Sequence, residues 1–222
     1  MKNNNCLTNT EIKQEELRIL RSFDAFCKER GLRYSLAFGT LLGAVRHQGF
    51  IPWDDDIDVC MPRPDYEMLL SLAEQLEGQF GLRIASARGD QPYPIPFSKV
   101  VDPAIQVRES NLAVDLDESL WIDVFPVDGI QMSDAEFERL LKAQWNGMRM
   151  LGITLHRNPS CIKEMAQRMI RRFSPSPLKI AKAMDDALRV LDFSGAAYVS
   201  FVAGSNPGSS ALFEKQRFLE TV

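Results

Sequence analysis

A chain of 222 residues can bury a substantial core as one domain, or as one domain with a helical appendage. Its 45% hydrophobic and 25% charged residues are ordinary for a soluble globular protein, and no apolar run approaches the roughly 20 residues that span a bilayer. The net charge of −4 is unevenly divided: residues 1–138 hold 13 Lys/Arg against 24 Asp/Glu, residues 139–182 hold 10 against the single Glu164, and residues 183–222 hold 3 against 5. The basic middle segment either balances its acidic neighbour as a solvated face or meets a polyanion such as a nucleotide, an anionic glycan or a headgroup layer. The overall acidity argues against a nucleic-acid duplex. Met1–Asn5 leads into a charged helix rather than an apolar signal core, so the expectation is a cytoplasmic protein. Cys6, Cys27, Cys60 and Cys161 show no Cys-x-x-Cys spacing, which fits a reducing compartment, although the even count leaves a disulfide open. With only His47 and His156 present, a histidine-built zinc site is not expected.

Thr8 with Glu11 three residues on has capping-box spacing and predicts a helix from Thr8. Its apolar face runs through Ile12, Leu17, Leu20, Phe23 and Cys27, and Gly31 is placed to end it. A strand is predicted over Arg33–Phe38, a turn at Gly39-Thr40 and a short helix over Leu41–Arg46. Gly49–Trp53 reads as loop and Ile57–Met61 as a buried strand; Pro62 and Pro64 then open a helix that Gly78 ends. Short strands are expected at Leu82–Ala87, Phe97–Val101 and Ile105–Arg108, and a stronger one at Leu120–Phe125 that Pro126 stops. Ser133 with Glu136 repeats the capping box and starts a long helix to about His156, with two more helices near Ser160–Phe173 and Leu178–Leu191. The expected architecture is therefore α/β (α+β): a mixed-sheet core over residues 1–138, then a mostly helical, basic segment over 139–182 and on to 222.

Trp53-Asp54-Asp55-Asp56-Ile57-Asp58 places four carboxylates in five positions. Carboxylates this dense repel one another unless a cation or solvent intervenes, and hard divalent ions bind through one or two carboxylates plus substrate phosphates. On a strand Asp56 and Asp58 would project from one face, about 7 Å apart by the strand rise, with Ile57 turned into the core. Asp123 stands between Ile122 and Val124 in an apolar strand, so it needs a partner: a shared metal, or a salt bridge to Arg or Lys. The alternatives for the cluster are a solvated acidic loop and a structural Ca²⁺ site. Gly39-Thr40 offers backbone N–H groups to an anion, though no Gly-Lys-Ser/Thr follows to make a P-loop. Arg46 could grip a phosphate bidentately or pair with an aspartate, and Lys99 could serve as a point-charge phosphate ligand. His47 is a general-base candidate or a surface histidine; Trp53 either stacks on a base or choline-like group or packs.

The stretch Tyr34–Tyr66 resembles the LicD family, through Gly39-Thr40-Leu41-Leu42-Gly43-Ala44-Val45-Arg46-His47, Gly49-Phe50-Ile51-Pro52-Trp53-Asp54-Asp55-Asp56-Ile57-Asp58 and Met61-Pro62-Arg63. Trp121-Ile122-Asp123-Val124-Phe125-Pro126-Val127-Asp128 is similar to that family's second block. The resemblance covers about half the chain and is faint beyond residue 140. It implies a nucleotidyltransferase-like core and Mg²⁺- or Mn²⁺-dependent transfer of phosphocholine, or a related phospho-polyol, from a CDP-linked donor to a sugar hydroxyl. The acceptor would be a cell-surface glycan of teichoic acid or lipopolysaccharide type, free or lipid-linked, met from the cytoplasm with peripheral contact at the inner membrane face. By that resemblance Asp56 and Asp58 form the metal pair, Asp123 is the third carboxylate, Asp54 assists the metal, and Gly39-Thr40 is the phosphate-side turn. Proteins of this kind are expected to continue past Val222 with a further strand and a Tyr-Gly segment. Two other functions stay open at this stage: a nucleotidyltransferase that moves NMP from an NTP, and an inactive nucleotide-binding or assembly module.

Overall fold

A computed structural model describes residues 7–89, 92–107, 112–114, 116, 119–203 and 211–222. Helix α1 (Asn9–Arg30) has Thr8 as its N-cap in a complete capping box with Glu11, and Gly31 closes it in the left-handed conformation at φ 66°. Strand β1 is only Ser35–Leu36, because helix α2 (Phe38–His47) already begins two residues later. Gly39 and Thr40 therefore lie in the first turn of α2 and not in a turn before it. Strand β2 (Asp58–Pro62) starts at Asp58, so Asp56 precedes the strand and the expected side-by-side projection of Asp56 and Asp58 from one strand face does not occur.

The single helix expected after Pro62 is two, α3 (Arg63–Ser71) and α4 (Ala73–Phe80), divided at Leu72. Gly81, at φ 68°, ends α4 where Gly78 was expected to. Strand β3 (Arg83–Ser86) follows, and β4 (Ser98–Gln106) fuses two predicted strands into one. Arg108, the expected end of the second, lies outside the described residues.

Strand β5 (Ser119–Ile130) runs straight through Pro126. The reason lies in its neighbours. The Asp123 N–H points toward β2, donating to the Ile57 carbonyl at 2.9 Å, so alternation turns the ring nitrogen of Pro126 to the opposite edge. On that edge pairing with β4 ends at Val124 and pairing with β6 (Tyr198–Ser200) begins at Asp128, so the missing N–H breaks no ladder bond.

The sheet runs β1-β2-β5-β4-β3, with β2 and β5 parallel and the other neighbours antiparallel; β6 continues along β5 and pairs with β7 (Phe213–Glu214). One face carries Val59, Met61, Ile122 and Val124 onto Ile19, Phe23 and Phe26 of α1 and Tyr66 and Leu69 of α3. On the other face Cys60 and Val127 pack with Phe193 and Val199, and Phe125 and Phe201 join them. Helices α5 (Asp134–Leu155), α6 (Cys161–Phe173), α7 (Pro177–Arg189) and the short α8 (Lys215–Leu219) complete the chain. The mixed α/β core with a mainly helical continuation is thus as expected.

A buried ion cluster ties the two parts together. Arg63 of α3 donates to Asp128 of β5 at 2.6 Å and to Asp185 of α7 at 3.1 Å. Arg88 binds the same Asp185 at 2.7 Å and Glu67 at 2.7 Å. Arg63, Asp128 and Asp185 are buried, and Arg63 Nη2 and Asp128 Oδ2 have no hydrogen-bond partner, so the pairing offsets the cost of removing these ions from water only in part.

Candidate active site

The aspartates gather where β2 begins. Parallel pairing sets Asp58 in register with Asp123, and antiparallel pairing sets Asp123 in register with Lys99. Three charged side chains from three adjacent strands thus share one row and one face, with neighbouring backbones about 4.8 Å apart. The sheet, not the i, i+2 spacing within one strand, gives Asp58 its partner. Two backbone bonds lock this row: Asp123 N–H to the Ile57 carbonyl, and Ala37 N–H to the Asp58 carbonyl, each 2.9 Å.

Helix α2 holds the Asp54–Asp58 segment from the other side. The Thr40 hydroxyl accepts from the Asp58 N–H at 2.8 Å and donates to the Asp56 carbonyl at 3.5 Å. A Cβ at Gly39 would stand 2.3 Å from an Asp54 carboxylate oxygen, so Asp54 lies directly against the first turn of α2 and would have to turn aside for any larger residue there. At Gly43 a Cβ would stand 2.5 Å from the Gly49 carbonyl, so the loop that leads to the aspartates rests directly on this helix. Just before Gly39, Phe38 adopts a positive φ of 45°, a conformation costly for a bulky side chain. Edge-on contact with Phe125 and a tilted contact with Phe201, both with ring centroids 5.2 Å apart, hold it there.

The remaining expected contacts divide. Lys99 lies over the Trp121 ring at 3.5 Å from its centroid, with Tyr93 at 5.3 Å, an aromatic seat that keeps its charge beside Asp123. Arg46, His47 and Trp53 are exposed on the outside of α2 and its following loop, Trp53 at 83%. Among the described residues none of the three is joined to the aspartates by a hydrogen bond or ion pair.

The electrostatics are those of crowded, half-buried acids. Burial, then Asp56, Asp123 and Asp54, push the Asp58 carboxyl up to about 7. Burial pushes Asp123 up to about 6, against the opposing pull of Lys99 and a hydrogen bond from Trp121. Asp56 is raised by burial and then by Asp54. Glu16 of α1, only 4% exposed, belongs to the same group: burial, then Asp55 and Asp56, push it up to about 8. One oxygen of Asp123 (Oδ1) and one of Glu16 (Oε2) are buried without a hydrogen-bond partner. Orphaned oxygens among mutually repelling carboxylates fit a hard divalent cation. Among the described residues no three of these side chains are placed to hold a metal ion by themselves.

Residues 31–128, which contain every aspartate of the cluster, match the LicD/FKTN/FKRP nucleotidyltransferase domain. This segment belongs to the LicD family. The chain is 36% identical over 115 residues to the lipopolysaccharide cholinephosphotransferase LicD of Haemophilus influenzae, a match over 51% of this chain and 42% of that protein. It is 35% identical over 108 residues to human ribitol 5-phosphate transferase FKRP, covering 47% of this chain and 19% of that protein. An uncharacterised protein of Rickettsia prowazekii is 33% identical over 94 residues, covering 42% and 34%. The chain thus matches less than half the length of each of these relatives.

Glu16 stands ahead of the LicD segment and is the site residue that motif reading passes over. Its signal is helical position: Ile12, Glu16, Ile19 and Phe23 fall at i, i+4, i+7 and i+11, so a carboxylate sits on the apolar face of α1. Trp121, whose neighbour Ile122 turns to the opposite face, is the other.

Proposed function

We propose that the chain is a phosphotransferase that moves phosphocholine, or a related phospho-polyol, from a CDP-linked donor to a sugar hydroxyl of a cell-surface glycan. The observation that carries this is the Asp58–Asp123–Lys99 row with Asp54 and Asp56 at its open end, in a segment of the LicD family. Named activities of the two characterised relatives, cholinephosphotransferase and ribitol 5-phosphate transferase, share the transfer of a phosphorylated alcohol and differ in the alcohol. A CDP-linked donor places the reaction in the cytoplasm, with a lipid-linked glycan reached at the inner membrane face.

Asp56, Asp58 and Asp123 would hold Mg²⁺ or Mn²⁺, with Asp54 assisting. When bound, the ion supplies charge to the donor pyrophosphate and to the departing CMP. The chain's own groups do the rest. Lys99, held on Trp121, offsets charge at the phosphoryl oxygens. Asp56, exposed at the mouth and raised toward protonation, accepts the sugar hydroxyl proton as its oxygen bonds to the phosphorus of the transferred group. The bond between that phosphorus and the bridging oxygen breaks, and CMP leaves. Thr40 keeps Asp56 and Asp58 in place through their backbone. Arg46, His47 and Trp53, exposed on α2 and the loop after it, would meet the outer parts of donor and acceptor.

The test measures CMP release from CDP-choline, CDP-ribitol and CDP-glycerol, and pyrophosphate release from CTP, with and without Mg²⁺ and with a mixed glycan acceptor. Divalent-dependent CMP from one CDP donor, lost in Asp58→Asn with unchanged folding, is the expected result. Pyrophosphate from CTP alone would replace this reading with nucleotidyl transfer. Nucleotide binding without turnover would replace it with a binding module.

A further inference from the structure

Helix α6 (Cys161–Phe173) is turned inside out. A surface helix of a globular protein buries its apolar stripe and exposes its charges. Here the half-buried positions are Glu164, Gln167 and Arg171, all polar, and no residue of the helix is fully buried. Arg171 donates to the Ile153 and His156 carbonyls at the end of α5, at 2.9 and 3.1 Å, and pairs with Glu164. Glu164 in turn accepts from the Asn158 N–H at 2.8 Å. These bonds fix the rotation of the helix about its axis. They leave the opposite face, Ile162, Met165, Met169 and Phe173, exposed at 82%, 65%, 67% and 80%. Spacings of three, four and four keep these residues in one stripe along a helix of roughly 20 Å.

Charge decides what the stripe meets. Lys163 runs along one edge, Arg168 and Arg172 along the other, and all three are exposed. The sole acid of residues 139–182, Glu164, is turned inward. An apolar stripe bordered on both long edges by cations, with no exposed anion, complements an anionic bilayer: the stripe enters the acyl boundary while Lys and Arg stay among the headgroups. Among the described residues no helix is long and apolar enough to cross a membrane, so the attachment is one of lying in the interface.

We propose that α6 docks the chain in the plane of an anionic lipid surface through Ile162, Met165, Met169 and Phe173. From the proposed function this takes only the expectation of a membrane-borne acceptor; its own support is the orientation of α6. The test is co-sedimentation of the whole chain with vesicles of pure phosphatidylcholine and of phosphatidylcholine mixed with phosphatidylglycerol, at low and high salt, and it does not depend on any CMP release. Binding to the mixed vesicles that weakens with salt is expected. Ile162→Ser combined with Phe173→Ser should abolish it. Replacing Lys163, Arg168 and Arg172 by Gln should weaken it on the order of a hundredfold, from the usual contribution of a basic residue at an anionic surface. Both variants should keep the wild-type circular dichroism and melting temperature, since the changed side chains face outward. Wild-type chain that stays in the supernatant at low salt overturns the proposal. So does a dimer in sedimentation velocity that Phe173→Ser dissociates, because the stripe would then belong to a second copy.

Discussion

Replacing Glu16 with Gln tests whether the carboxylates from α1 and from the sheet form one electrostatic unit. Glu16 is raised from 4.5 to about 8, first by burial and then by Asp55 and Asp56. The folded chain therefore binds this proton more tightly than the unfolded chain does. The stability it lends is complete below about pH 4.5, declines as pH rises, and is gone once pH passes about 8. At about 1.4 kcal/mol per pH unit, the metal-free ceiling is roughly 4 kcal/mol between about pH 5 and pH 8. Asp58, at about 7, and Asp123, at about 6, titrate in the same range and share the repulsion. About half of that ceiling is therefore the amount to look for. Glutamine keeps the shape and removes the charge. In chelator, Glu16→Gln should match wild type near pH 5 and exceed it by about 2 kcal/mol near pH 8, read from urea unfolding followed by tryptophan fluorescence. Millimolar Mg²⁺ should stabilise wild type more than the variant at the higher pH and narrow the gap. Parallel stability curves for the two proteins across this range would refute the coupling of Glu16 to the site.

Three further outcomes follow from contacts already described. Asp128→Asn leaves the buried Arg63 short of its nearest counter-charge and should cost about 3–5 kcal/mol in urea unfolding, whereas Arg63→Met combined with Asp128→Leu should cost clearly less because no charge is left stranded. Gly43→Ala forces a Cβ against the Gly49 carbonyl, so it should destabilise by about 1–3 kcal/mol and depress CMP release even though no reacting group is changed. A donor KM and kcat both at wild-type values would show that the loop does not depend on this contact. Lys99→Gln removes the charge that holds Asp123 down, so the acid limb of the activity profile should move to higher pH; an unmoved limb would disconnect Lys99 from Asp123.

Features set within a few residues were readable in the chain. The limits of α1 and the start of α5 follow from capping boxes that act over three residues, and Gly31 stops α1 by its own backbone freedom. The aspartate motif and the LicD resemblance likewise singled out the carboxylates that gather where β2 begins. What the chain concealed depends on neighbours distant in sequence. Pro126 reads as a strand terminator until one knows which edge of β5 is unpaired at that residue. Asp56 and Asp58 read as a strand-face pair until the register shows that the mate of Asp58 is Asp123. Gly39-Thr40 reads as a phosphate turn, yet Thr40 spends its hydroxyl on the backbone of Asp56 and Asp58. The charge count over residues 139–182 showed a basic surface but could not show that α6 presents its apolar side outward, because that rotation is set by Arg171 reaching the end of α5.

The cluster around Arg63 bears on how such a domain can be moved between proteins. The segment recognisable as LicD ends at Asp128, yet the guanidinium inside it is neutralised in part by Asp185, far beyond that border. The same strand that supplies Asp128 goes on to receive β6. A graft cut at the edges of the recognisable segment would carry a half-compensated buried cation and an open strand edge into its new host. Recognisability and cooperativity therefore have different borders here.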